Sequence, residues 1–267
     1  MADRPILVLG ATGSTGRRVA AQLTELGHPV RRASRHGDVR FDWTDRETWA
    51  PALDGVERVY LMAPHELPVE PEFVHEAVDR GVRRLVLLSS RGIEEMRDER
   101  LLAAEALVAG SGADWTAVRP DWFDQNFDEG FFRPSVLAGE LVLPLGDRAQ
   151  GFVDADDIAA VAVRALTEDG HEGRTYELSG PEALSFPAAL RTITEVTGRE
   201  VVYRGTADDY RAVVPAEVAE AQIAAWGALG EPGLTDDVER VAGRPPKSFR
   251  RYVEEAWEGG AWRDQQG

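Results

Sequence analysis

Residues 5–16 read PILVLGATGSTG, and the order of their chemistry decides the fold. Ile6, Leu7, Val8 and Leu9 are four consecutive apolar residues, the pattern of a strand buried on both faces of a parallel sheet. Gly10, Gly13 and Gly16 follow at a spacing of three. The next segment, RRVAAQLTELG, sets Val19, Ala20, Leu23 and Leu26 on one helical stripe and closes on Gly27, a helix stop. Strand, glycine turn and helix in that order form the setting of a dinucleotide fingerprint. Glycine lets the backbone turn tightly and lets a pyrophosphate approach closely. The helix N-terminus adds free N–H groups and the positive end of its dipole. Thr12, Ser14 and Thr15 supply hydroxyls around the same anion. A turn alone needs one glycine, so three favour a bound ligand.

The second half of the unit points to the cofactor. Val30 to Ser34 reads as the next strand, and it ends in Ser34 and Arg35. A cofactor without a 2′-phosphate is recognised by an acidic residue near this point. A guanidinium instead pairs with phosphate through two parallel hydrogen bonds. Arg35, helped by Ser34, therefore predicts NADP(H) over NAD(H). The plain alternative is a solvated arginine among Arg31, Arg32 and Arg40.

Composition bounds the rest. The chain has 267 residues, 43% hydrophobic and 29% charged, as in an ordinary globular protein with a large core. The absence of cysteine excludes disulfides, thiolate catalysis and cysteine metal sites. No metal site is expected. A net charge of −17 argues against nucleic-acid binding. No apolar run is long enough for a membrane span, and the first strand begins at once, which predicts no signal peptide and a cytoplasmic location. Lysine occurs once, as Lys247.

The βα alternation continues. A short helix is expected over 45–53, a strand over 56–64, a helix over 69–80, a strand in RRLVLLSS, a helix over 98–109 and a strand in DWTAVRP. The expected class is α/β: a doubly wound parallel Rossmann sheet with a small C-terminal substrate subdomain. The division predicted is 1–120 with 150–180 for the nucleotide part, and 121–149 with 181–267 for the substrate part. After Asp121 comes DWFDQNFDEGFFRP, just beyond a strand's carboxyl end, where open α/β sheets bind ligands. Trp122, Phe123, Phe127, Phe131 and Phe132 suit either a pocket for a flat substrate or subdomain packing. Further on, a helix is expected to begin near Asp156 or Asp157. RTYELSG predicts a strand. Helices are predicted over 184–197 and 215–229, and the tail reads as a proline-initiated helix.

The chain resembles the NmrA-like group of atypical short-chain dehydrogenase/reductases, which includes NADPH-dependent quinone oxidoreductases and cofactor-sensing regulators. The matching stretches are GATGSTG, SSRG, SGADWTAVRPDWFDQNF, VDADDIAAV and GRPPKSFRRYV. They span nearly the full length. The Arg119-Pro120-x-x-Phe123-x-x-Asn126 pattern and the C-terminal GRPP-x-x-F are the narrower signatures, and the first adds Asn126 to the substrate-side residues. The resemblance implies pyrophosphate contacts at Gly10, Thr12, Gly13, Ser14, Thr15 and Gly16, and a 2′-phosphate contact at Arg35. It places Asp42 beside the adenine, Ala63 and Pro64 along the ribose, and Ser89 and Ser90 near the nicotinamide. Asp42 also reads as a turn residue.

One departure shapes the chemistry. Typical short-chain dehydrogenases use a Tyr-x-x-x-Lys pair to exchange a proton with a carbonyl oxygen, and none exists in this sequence. Where it would stand, only Arg97 and Arg100 offer positive charge, and arginine is a poor proton donor. Tyr60, His65, Ser90 and Asp121 remain as weak candidates. Two functions follow. The first is an NADPH-dependent reductase of a quinone-like or aromatic carbonyl acceptor. The second is a non-catalytic NADP(H)-binding regulator that engages a protein partner. A homodimer is left open.

Overall fold

The computed structural model describes residues 4–62, 67–230 and 233–263. The first half runs β1 (Ile6–Leu9), α1 (Ser14–Glu25), β2 (Val30–Ser34), β3 (Val39–Arg40), α2 (Trp49–Leu53), β4 (Arg58–Met62), α3 (Pro71–Asp79), β5 (Arg84–Leu88), α4 (Glu99–Ala109) and β6 (Asp114–Pro120). The second half runs α5 (Arg133–Ala138), β7 (Glu140–Val142), β8 (Ala149–Gln150), α6 (Ala155–Thr167), β9 (Arg174–Leu178), β10 (Leu184–Ser185), α7 (Phe186–Thr197), β11 (Val202–Arg204), α8 (Ala207–Val213), α9 (Ala216–Ala228), α10 (Asp237–Ala242) and α11 (Phe249–Glu258).

Seven strands form one sheet in the order β3-β2-β1-β4-β5-β6-β9. Every neighbouring pair in it is parallel. This is the doubly wound Rossmann sheet that the apolar strand runs predict. The reason shows in β1, whose four side chains are all buried. Ile6 and Val8 face a core built with α1 and α6, while Leu7 and Leu9 face a second core built with α2, α3 and α4. A strand covered on both sides has no polar face to show in its sequence.

A third core lies apart from the sheet. Phe127, Phe132, Leu141, Phe152, Phe186, Leu190, Phe249, Tyr252 and Trp262 are among its members. Two small strand pairs support it, β8 with β10 and β7 with β11. The β7–β11 pair is parallel and each of its strands spans three residues, too short for an alternation signal. α10, although it falls late in the chain, packs on α6 and β9, and its Val238 belongs to the first core.

Helix starts differ from the sequence reading where a cap decides them. α6 begins at Ala155, because the Asp154 carboxylate accepts the Asp156 N–H at 2.8 Å. α7 begins at Phe186 behind the Ser185 cap, and Leu184 and Ser185 are the strand β10. The tail helix α11 is started by Ser248, not by proline: the Ser248 hydroxyl accepts the Arg251 N–H at 3.3 Å. Among the described residues, no helix is long and apolar enough to cross a membrane.

Candidate cofactor and acceptor site

The site lies at the carboxyl edge of the sheet, where strand order reverses between β1 and β4. Three glycines hold the turn after β1 for three different reasons. Gly10 has φ +62°, and a Cβ there would lie 2.8 Å from the Met62 sulfur. At Gly16 a Cβ would lie 2.2 Å from the Gly10 carbonyl oxygen, so only glycine lets α1 seat against the turn. Gly13 has extended backbone with φ −81°, and a Cβ there would meet only the Gly10 oxygen at 3.2 Å. That contact is tight but is the one the protein makes with the position, and close approach of a ligand is a second requirement that fits it. The N-cap of α1 has no side-chain hydrogen bond and no acidic residue follows in the first turn. The free N–H groups there are ready for an anion, so the residues present fit a dinucleotide pyrophosphate.

Not all the hydroxyls face that anion. Thr12 is exposed and Ser14 half-buried beside the turn. Thr15 points the other way, its oxygen accepting the Tyr60 hydroxyl at 2.9 Å.

At the end of β2, Ser34 is buried and its hydroxyl accepts the His36 N–H at 3.2 Å. Arg35 is exposed and makes no hydrogen bond or salt bridge to another described residue. Asp42 is a turn residue: one carboxylate oxygen accepts both the N–H and the hydroxyl of Thr44, at 3.0 and 2.8 Å. Those two bonds, with Arg35 and Arg40 nearby, hold its pKa below the ordinary carboxylate value. It stays ionised next to Arg35.

The proposed proton donors fare differently. Tyr60 has zero exposure in the first core, and burial drives its phenol pKa well up. It has no access to a substrate, which removes it from the donors. Its bond to Thr15 ties β4 to α1 instead. The other four tyrosines are also engaged: Tyr176 with His171, Tyr203 with the Leu143 carbonyl, Tyr210 with Gln222 and Tyr252 with Asp128. Lys247 lies far along the chain and clamps α11 to the start of α6, within 3.2 Å of Asp154, 3.3 Å of Asp156 and 2.9 Å of Glu255. Burial raises the Asp121 pKa, opposed by the N–H of Trp122, by Arg91 and by the N–H of Gly151. Its oxygens act as acceptors throughout. Ser89 has a buried hydroxyl with no partner among the described residues, and half-buried Ser90 donates to the Arg91 carbonyl at 3.2 Å. Exposed Arg97 sits at φ +53°, and Arg100 reaches Asp98 at 3.3 Å, so neither replaces the missing lysine. Ala63, Pro64 and His65 lie outside the described residues.

The aromatic segment divides. Phe127 is fully buried against Phe132, Phe152, Phe186 and Phe249, with ring centroids 5.3 to 6.0 Å away. It is a core residue and not an acceptor contact. Half-buried Trp122 stacks on Phe132 at 5.7 Å and reaches exposed Phe131 and Trp226, each at 6.2 Å. Its indole N–H donates to Gln150 at 3.1 Å. Arg119, from the narrow sequence signature, is occupied by Glu105 and Glu94 at 2.6 and 2.8 Å. Phe123 and Asn126 line a cleft of about 230 Å³ together with Thr12, Gly13, Ser14 and Arg17. Gln125 positions that wall: its amide donates to Asp154 at 3.0 Å and its carbonyl accepts the Ala155 N–H at 2.8 Å. The cleft also brings in Glu129, which nothing in the sequence pattern marks.

A glycine turn shaped for a pyrophosphate, at the switch point of a parallel sheet, defines a class of nucleotide-cofactor-binding protein. The NAD(P)H-binding family model matches residues 10–169. The chain belongs to that NAD(P)H-binding family and is an oxidoreductase. It is 33% identical to an uncharacterized oxidoreductase, YesF, of Bacillus subtilis, over 95% of both chains. It is 35% identical to the (4-alkanoyl-5-oxo-2,5-dihydrofuran-3-yl)methyl phosphate reductase of Streptomyces griseus, over 94% of this chain and 97% of the other. It is 31% identical to the NAD(P)H azoreductase of Xenophilus azovorans, over 93% and 96%. Among solved structures, the NADPH-dependent quinone oxidoreductase QOR2 of Escherichia coli superposes with a TM-score of 0.77 at 21% identity, over 94% of this chain and 99% of that one.

Proposed function

We propose that this protein uses NADPH to reduce a flat, conjugated acceptor of the quinone, azo or activated-alkene kind, without a Tyr/Lys proton relay. The observation that carries the reading is the engagement of every tyrosine and of the single lysine in bonds that leave none at the strand edge. Hydride addition to an isolated ketone builds charge on one oxygen and demands an acid or oxyanion stabiliser there. A conjugated acceptor spreads that charge over its π-system and takes its proton from water or a weak acid.

The division of labour follows. Gly10, Thr12, Gly13, Ser14 and Gly16 would hold the pyrophosphate, and Ser34, Arg35 and Asp42 the adenosine end. Ser89 and Ser90 would face the nicotinamide. When bound, the cofactor supplies the hydride. Trp122, Phe123 and Asn126 would seat the acceptor, with Phe131 and Trp226 as an added aromatic edge. Residues 1–120 with 150–180 form the nucleotide part, and 121–149 with 181–267 the acceptor part, apart from α10. The acceptors named for the azoreductase and the quinone oxidoreductase support this class, and the cytoplasm is the compartment proposed.

The test compares kcat/KM for a simple quinone and an unactivated ketone of similar size at saturating NADPH. The quinone is expected to be preferred by about a hundredfold or more, the usual contribution of a general acid that this site lacks. Preference for the ketone would overturn the reading. Tight NADPH binding with no turnover of either acceptor would favour a non-catalytic, cofactor-sensing role.

A further inference from the structure

The anion-ready end of α1 already faces an anion, and it belongs to the protein. Glu129 follows the short 3-10 turn at Asp124–Asn126 and crosses the cleft to α1. Its carboxylate accepts the Ser14 hydroxyl at 2.9 Å and Arg18 at 3.0 Å, and it pairs with Arg17. Burial opposes its ionisation, but the bonds from Arg17, Arg18 and Ser14 prevail and bring its pKa down to about 2. Glu129 is therefore a full negative charge at any working pH.

The two arginines differ. Arg18 has other anchors: its guanidinium also meets Asp156 at 3.1 Å and the Ser14 carbonyl at 2.9 Å. The Arg17 side chain is 43% exposed, and Glu129 is its one partner among the described residues. Were Glu129 to move, Arg18 would keep its place and Arg17 would be left one turn inside α1, beside Gly13, with nothing to neutralise it.

We propose that Arg17 is a phosphate contact of the cofactor and that Glu129 is the internal anion holding it until the cofactor displaces it. This rests on the reading of the glycine turn as the pyrophosphate site. The chemistry favours exchange: a pyrophosphate brings two charges to Ser14, Arg17 and the free N–H groups of α1, where a carboxylate brings one. It also requires exchange, because a carboxylate left beside the phosphates would repel them. Glu129 stands on the same wall as Phe123 and Asn126, so cofactor entry would shift the acceptor side of the cleft.

The experiment titrates NADPH by fluorescence into the wild type, Glu129→Gln, Arg17→Ala and the double variant, with thermal melts confirming folding and Glu129→Ala as a second charge-removing variant. Glu129→Gln is expected to bind about tenfold more tightly, from loss of a competing and repelling charge. Arg17→Ala is expected to bind about tenfold more weakly, and to do so in the Glu129→Gln background as well. If Arg17→Ala has no effect in that background, Arg17 merely neutralises Glu129 and the phosphate contact is overturned. If the wild type binds NADPH and neither Glu129 variant binds more tightly, the displacement is overturned while the cofactor assignment stands. If no form binds NADPH, the cofactor assignment and this inference fall together.

Discussion

The turn from Gly10 to Gly16 and the aromatic segment from Trp122 to Phe132 meet across one cleft, and both look like binding elements in sequence. They differ in how much of that look survives folding. In the turn, each glycine serves the local backbone or the space beside it, so apart from Thr15, which bonds Tyr60, sequence neighbours remain spatial neighbours. In the aromatic segment, one short stretch supplies a core residue (Phe127), a cleft wall (Phe123 and Asn126) and an exposed ring (Phe131). The lesson is that glycines declare a backbone requirement directly. Aromatic rings declare only apolar area, which a core and a pocket want equally.

That contrast can be broken most sharply at Gly13. Gly13→Val keeps an allowed extended backbone and its Cβ would crowd only the Gly10 carbonyl oxygen, at 3.2 Å, which a small local shift relieves, so the chain should fold while NADPH binding, followed by fluorescence titration, is lost. Retained binding in the folded variant would place the cofactor elsewhere. Gly16→Val, whose Cβ would lie 2.2 Å from a backbone oxygen, should instead fail to fold.

The aromatic side is sharpened by a pair of truncations. Phe127→Ala should cost about 3–5 kcal/mol in denaturant unfolding, as for a fully buried phenylalanine. Phe131→Ala should stay within about 0.5 kcal/mol while raising KM for the acceptor. Equal costs would mean that the segment is uniformly structural. Returning to the nucleotide side, Arg35→Ala should erase a preference for NADPH over NADH of at least about tenfold, or about 1.4 kcal/mol. Equal affinities in the wild type would refute that role. The smallest effect is expected at Tyr60→Phe, which removes the bond to Thr15. Stability should fall by about 1 kcal/mol, with kcat changed far less than the hundredfold expected for a general acid.

What could be read without the fold follows from the range of the interactions involved. Strands β1, β4 and β5 are legible because apolar runs and their stops are local. The helix starts at Ala155 and Phe249 were displaced from the simplest reading by caps one residue upstream, an effect of single hydrogen bonds rather than of periodicity. The pairing of β7 with β11 joins residues about sixty positions apart and leaves no local trace. Glu129 is the clearest case on the site itself. A lone glutamate in an acidic chain carries no signal, and only the packing of residues 121–130 against Val153 and Asp154 brings it over the end of α1.

The sequence by itself determined the parallel sheet, the glycine turn after β1 and the lack of a Tyr-x-x-x-Lys pair, because each is a matter of residue type at short spacing. Only the tertiary structure decided that Tyr60 is sealed in the core, that Lys247 is a clamp between α6 and α11, and that Phe127 supports the cleft without lining it. It alone set the Glu129 carboxylate against Ser14, Arg17 and Arg18. Burial and charge pairing are properties of what surrounds a side chain, and those surroundings come in large part from segments tens to more than a hundred residues away.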